Sequence, residues 1–112
     1  MEKPNCFYAD FQKLDLRIGE IKQAIKLEDS EKLLVLTVDF GVDYGVVEIL
    51  AGVAKFHTPK QLVGNKYLFI ANLEPRKMMG RNSNGMVLAA DTPPKYQLLK
   101  VSKKLKNGTG LC

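Results

Sequence analysis

Leu14 to Leu27 read LDLRIGEIKQAIKL, and the spacing of their apolar residues decides the fold. Leu14, Leu16 and Ile18 recur at period two with Asp15 and Arg17 between them, the pattern of a strand with one face in a core. After Gly19 the phase slips by one residue, and Ile21, Ile25 and Leu27 fall on odd positions. A period-two pattern that changes phase at a glycine predicts one long strand with a bulge at that point. A bulge bends its strand, which suits a chain that curls around a barrel.

Downstream, Leu34, Leu36, Val38 and Phe40 form one wholly apolar face, while the other runs from Leu33 and Val35 to Thr37 and Asp39. Residues 41–45, GVDYG, make a turn, and Val46 to Val53 returns as a third strand. The tip of this hairpin carries Asp39 and Asp43, so it repels a polyanion unless it faces away. Thr58, Pro59 and Gln61 supply an N-cap, a first-turn proline and a capping-box partner for a short helix, which Gly64 ends. A fourth strand spans Lys66 to Ala71, a polar loop spans 72–85, and a fifth strand spans Met86 to Ala90. The order β-β-β-α-β-β with a long bulged first strand is that of an all-β, five-stranded OB-fold barrel with a short helix between strands 3 and 4. An SH3-like barrel would lack that helix. Residues 1–112 are expected to form one domain, a barrel over about 7–91 and a C-terminal extension over about 92–112. Leu98, Leu99, Val101 and Leu105 make the extension too apolar to hang free, so it packs on its own barrel or on a partner.

Composition excludes several function classes. A 46% hydrophobic share argues against disorder. The formal charge of +5 divides unevenly: residues 1–56 hold 7 Lys+Arg and 10 Asp+Glu, a balance of −3, and residues 57–112 hold 10 Lys+Arg and 2 acids, a balance of +8. Such asymmetry points to a polyanion-binding face. Cys6 and Cys112 lack CxxC spacing, which indicates no zinc or redox motif and fits free thiols in a reducing cytosol. The polar start has no apolar core of a signal peptide, and no apolar run is long enough to span a bilayer, so a cytoplasmic protein is expected. His57 is the only histidine and reads as structural or surface, while Asp15 and Glu20 read as outward, solvated carboxylates. No serine has a triad setting and no glycine cluster forms a phosphate loop, so neither an enzyme, a metal nor a cofactor is expected.

The loop from Asn72 to Met86 differs in kind. It gathers three cations (Arg76, Lys77, Arg81), three asparagines including Asn84, and Ser83. Arg and Lys neutralise phosphates, while Asn and Ser add hydrogen bonds to sugar or phosphate oxygens. Met78 and Met79 are neighbours that point oppositely on an extended chain, so at least one can be exposed as a soft apolar contact for a base or a peptide.

Residues 11–19 (FQKLDLRIG), 31–36 (EKLLVL), 51–56 (AGVAKF), 71–80 (ANLEPRKMMG) and 83–86 (SNGM) together resemble one family. It is the OB-fold tRNA-binding domain found at the C-terminus of methionyl-tRNA synthetases, as a separate synthetase beta subunit, as a small bacterial tRNA-binding protein and as the chaperone-like protein CsaA. The resemblance covers about residues 7–111. It implies non-catalytic binding of tRNA by shape, and a homodimer held through strand and extension contacts. By the same resemblance Asn72, Ser83 and Met86 belong to an RNA-binding surface, Arg76, Lys77 and Lys32 match basic positions, and Lys55 is a further candidate. Val47, followed by Glu48, stands where the family often carries a basic or polar residue, and Leu27 and Glu28 hold the positions of a common His-Pro. Both changes turn the first half away from RNA, whereas Arg81 and Asn82, where an acid is common, concentrate attraction on the loop. The alternative implied function is a CsaA-like peptide-binding chaperone in protein export, with Met78, Met79 and Lys77 contacting unfolded segments.

Overall fold

The computed structural model describes residues 2–112; Met1, the first residue of the expected domain, lies outside them. Strand β1 (Leu16–Lys26) pairs antiparallel with β2 (Leu34–Asp39) along one edge and with β4 (Lys66–Ile70) along the other. Its phase differs from the expected one. The register shifts between Ile21 and Gln23, so the bulge lies at Lys22 and not at Gly19. Gly19 and Ile21 both face the core, since a Cβ at Gly19 would lie 2.6 Å from Val38 Cγ1 and 2.8 Å from Phe40 Cε1. The glycine is an inward position with its side chain omitted, which looked in the sequence like a change of phase. Beyond the bulge Ala24 packs on the core and Ile25 turns out to solvent, so Ile21 and Ile25 do not share a face.

The second strand follows its pattern. Leu34, Leu36, Val38 and Phe40 are all buried against Ile49 and Ala51 of β3 (Val46–Ala51) and Phe69 of β4. Phe40 meets Phe69 edge to face at 5.4 Å. On the outer face Leu33, Val35 and Leu50 form a second apolar patch. The short helix α2 (Pro59–Leu62) forms as its caps dictate: Thr58 Oγ1 accepts from Gln61 N–H at 3.3 Å, and Thr58 N–H donates to Gln61 Oε1 at 2.9 Å. Leu62 plugs the end of the barrel. A five-residue helix, α1 (Tyr8–Gln12), precedes the barrel and was not anticipated.

The expected irregular loop 72–85 holds a hairpin, β5 (Arg76–Met78) with β6 (Arg81–Ser83). The expected fifth strand divides into β7 (Met86–Val87), which pairs with β4, and β8 (Ala89–Thr92), which pairs with β9 (Lys95–Leu98). Strand β10 (Lys100–Val101) returns to β4, giving a main sheet in the order β10-β4-β1-β2-β3 with β7 also on β4. The sheet curls into a nearly closed OB-fold barrel. Across the seam Asn84 N–H donates to the Glu48 carbonyl at 3.0 Å.

Residues 108–111 run beside the first half of β1, with Ile18 N–H donating to the Thr109 carbonyl at 2.9 Å and Leu111 N–H to the Leu16 carbonyl at 2.9 Å. Of the extension's apolar residues, Leu98 enters the core, while Leu99 and Leu105 remain exposed.

Candidate nucleic-acid interface

The hairpin turns through Met79 and Gly80, both with positive φ (51° and 79°), as a two-residue turn between paired Met78 and Arg81 requires. Directly opposed residues share a face, so Arg76, Met78, Arg81 and Ser83 lie on one side and Lys77 and Asn82 on the other. The first side is laid on the barrel. Met78 packs on the patch of Leu33, Val35 and Leu50, while Met79 at the tip is exposed.

Ser83 is only 4% exposed, and its hydroxyl accepts from Leu50 N–H at 3.0 Å and donates to the Gly85 carbonyl at 3.2 Å. It fastens the hairpin to β3. Asn84 Nδ2 donates to the Glu48 carbonyl at 3.3 Å, and Arg81 Nη1 reaches Glu48 Oε1 at 2.8 Å. Asn72 clamps the start of the segment to the N-terminal region: its Oδ1 accepts from Asp15 N–H and its Nδ2 donates to the Lys13 carbonyl, both at 2.7 Å. Among the described residues Arg76 and Lys77 make no ion pair. Of the three cations, Arg81 alone is engaged by an acid, Glu48, among the described residues.

Beneath the hairpin lies a cleft of about 210 Å³, walled by Leu50, Leu73, Met78 and the exposed Met86, with Arg76 and Glu74 at its rim. Glu74 offsets part of the local positive charge. The structure thus gathers Arg76, Met78, Ser83 and Met86 around one cleft and sets Lys77 on the outward face. Lys32 and Lys55 lie apart from the hairpin strands, on two loops joined by Ala54 N–H donating to the Lys32 carbonyl at 2.9 Å. Lys55 Nζ approaches Glu31 Oε2 at 3.9 Å. Glu48 was read from sequence only as an acid unfavourable to RNA. It is also the tether of Arg81 and Asn84, a pairing across 33 residues or more that no local pattern announces.

The other titratable candidates have structural partners. His57 Nε2 accepts from Leu98 N–H at 3.5 Å. Asp15 pairs with Arg17 at 2.9 Å. Glu20 Oε1 accepts from Asn107 Nδ2 at 3.0 Å, and that bond, aided by Lys22 and Lys66 against the cost of burial, holds the carboxyl below its ordinary value. Among the described residues no three His, Cys, Asp or Glu side chains gather, and no helix is long and apolar enough to cross a membrane.

A family model described as a putative tRNA binding domain matches residues 16–110. The chain belongs to this family. Among relatives of the tRNA-binding domain, the methionine-tRNA ligase of Methanothrix thermoacetophila is 43% identical over 110 residues, which are 98% of this chain and 16% of that protein. The chain spans about one-sixth of the length of the curated relatives it matches. The crystal structure of a MetRS related protein from Pyrococcus horikoshii superposes with a TM-score of 0.89 at 33% identity, covering 100% of both chains. The chaperone CsaA from Bacillus anthracis superposes with a TM-score of 0.86 at 28% identity, covering 97% of this chain and 100% of that one.

Proposed function

We propose that this tRNA-binding domain works as a non-catalytic, structure-specific tRNA-binding protein in the cytoplasm, either alone or as a beta subunit of methionyl-tRNA synthetase. The observation that carries the reading is the pair Arg76 and Lys77, without an ion pair among the described residues and exposed on a hairpin that Met78 and Ser83 fix to the barrel. Cations on a rigid support lose little freedom when they meet phosphates, and the spacing of phosphates on a folded RNA then selects by shape. Met86 and the cleft beside it offer an apolar contact for a sugar or base edge. Lys32 and Lys55 extend the basic surface. Ser83 is engaged in holding the hairpin, and His57 lines a different cleft.

Binding of intact tRNA across a salt series tests this. Arg76→Ala with Lys77→Ala is expected to reduce the log–log salt slope by about 0.7–0.9 for each phosphate contact removed. Unchanged affinity and slope would refute this site.

The exposed Leu99 and Leu105 support a homodimer formed through the extension at about 92–112. Leu99→Glu with Leu105→Glu is expected to give a monomer by light scattering, and an unchanged mass would exclude that interface.

The apolar wall of the cleft and the exposed Met79, together with the likeness to CsaA, favour a second reading as a peptide-binding chaperone in export. Titration with an unfolded polypeptide at high salt separates the two, because apolar binding survives screening that removes phosphate contacts. Absence of peptide binding there, with strong tRNA binding at low salt, leaves only the first reading.

A further inference from the structure

A second cleft, of about 330 Å³, opens between α2 and the β9–β10 segment and shares no lining residue with the cleft under the hairpin. Its floor is the buried trio Leu62, Tyr67 and Leu98. Phe56 forms one wall and is held by an edge-to-face contact with Tyr96 at 5.9 Å. Most of the polar groups around it offer hydrogen-bond donors, while Gln97, whose amide N–H donates to the Leu98 carbonyl at 3.3 Å, leaves its oxygen as an acceptor. Lys100 stands opposite Tyr67 in the ladder, so both side chains leave the same face of the sheet, and Lys100 makes no ion pair among the described residues. His57 accepts at Nε2 from Leu98 N–H at 3.5 Å, which leaves Nδ1 as the ring nitrogen without a protein partner among the described residues. Gln61 has its Oε1 engaged at the helix cap, leaving its amide N–H groups available. Burial pushes the Tyr67 phenol up and keeps it protonated. Among the described residues no carboxylate lines this cleft.

A site with one flat aromatic wall, an unpaired cation and several donors, but no acid, suits a ring bearing a phosphate. At this volume it is at the small end of ligand sites and holds one nucleotide, not a stretch of chain. We propose that it is a second RNA contact, which receives one unpaired nucleotide of the bound RNA with the base against Phe56 and the phosphate on Lys100. This rests on the tRNA-binding reading and deepens it. The two clefts lie toward opposite ends of β4: Tyr67 floors this one, and Ile70 pairs with Met86 of the other. Three residues of strand separate these anchors by about 10 Å, a distance that one RNA easily bridges. The second cleft also gives a use to basic residues that the hairpin leaves unexplained, since the extension from Lys95 onward carries five lysines and no acid.

The test compares a blunt RNA duplex with the same duplex bearing a short single-stranded tail, each across a salt series. Lys100→Gln is expected to weaken binding of the tailed RNA about fivefold, reduce its salt slope by about 0.7, and leave the blunt duplex unaffected. Equal binding of the tailed RNA by wild type and Lys100→Gln overturns the proposal. Arg76→Ala with Lys77→Ala, run alongside, is expected to weaken both RNAs. If that pair changes nothing while Lys100→Gln acts on the tail, the hairpin reading has failed and the second cleft stands. Wild-type protein that binds neither RNA removes both. Adenosine monophosphate provides a further arm, read by the ring resonances of His57 and Phe56. Lys100-dependent shifts with the free nucleotide, combined with no effect of the tail, would assign the cleft to a free nucleotide and overturn the RNA contact.

Discussion

The longer tip between β2 and β3 and the two-residue tip between β5 and β6 are engaged by the rest of the chain to opposite extents. At the tip between β2 and β3, nearly every polar or aromatic group is engaged within the chain. Asp39 Oδ1 accepts from Gly41 N–H at 2.8 Å, Tyr44 donates its hydroxyl to the Ala71 carbonyl at 2.9 Å, and the Arg17 guanidinium lies 4.9 Å over the Tyr44 ring. A Cβ on Gly41 would meet the Asn107 carbonyl oxygen at 2.5 Å, so the C-terminal segment is pressed against that turn. At the tip between β5 and β6, among the described residues, nothing lies within 4 Å of the same probe on Gly80, and Arg76 and Lys77 make no ion pair. One hairpin is locked into the barrel, and the other is fastened to it at its base and carries the proposed RNA contacts Arg76 and Lys77.

Glycine substitutions break this comparison most directly. Both Gly41 and Gly80 have positive φ (89° and 79°), so alanine at either loses about 1 kcal/mol to backbone strain. Only at Gly41 does the methyl also collide with backbone. Gly41→Ala is expected to destabilise by about 3 kcal/mol or more and Gly80→Ala by about 1 kcal/mol, measured by urea unfolding. Equal losses would mean that the C-terminal segment does not hold the first tip.

Ser83→Ala comes next. It removes the acceptor of a buried Leu50 N–H, for which about 2 kcal/mol is expected, while the hairpin ladder itself remains. It should also lower tRNA affinity by loosening the support of Arg76, although Ser83 is too buried for more than marginal RNA contact. A loss of affinity with no loss of stability would instead show that the hydroxyl contacts RNA.

The lock on the first tip also has a pH signature. Glu20 holds Asn107, the residue pressed on Gly41, and its folded-state pKa lies below the ordinary 4.5. Between those two values the unfolded chain binds more protons, so stability rises with pH there. The contribution is complete above about pH 4.5 and disappears as pH falls through the folded value. Asn107→Ala is expected to flatten this acid limb of the stability profile. A limb of unchanged steepness would place the acid sensitivity elsewhere.

What the sequence disclosed follows from which interactions are local. The apolar face of β2 and the caps of α2 depend on residues within a few positions of one another, and both form as read. The bulge was misplaced because a pattern of side chains has nothing to count at Gly19. The β5–β6 hairpin was hidden by strands of three residues and by a methionine where turn chemistry favours asparagine or glycine. Arg76, Lys77 and Arg81 are visible in the sequence only as three cations of one loop. That Arg81 and Ser83 are engaged depends on Glu48 and Leu50, which lie 33 residues away in the chain, so their state becomes legible only when the barrel brings β3 beside β6.

The smallest expected effect sharpens the comparison within the open hairpin itself. Arg81 and Glu48 are 48% and 38% exposed at the side chain, so their pair contributes no more than about 0.5 kcal/mol to folding. Its larger consequence is electrostatic, because Glu48 cancels the field that Arg81 would otherwise present to a phosphate. Arg81→Ala should therefore reduce the tRNA salt slope by less than either Arg76→Ala or Lys77→Ala. Glu48→Gln, which releases Arg81, should raise tRNA affinity about two- to threefold and steepen the slope. Should Arg81→Ala weaken binding as much as Arg76→Ala, the ion pair opens when RNA arrives, and the division between engaged and free cations on this hairpin describes only the unbound protein.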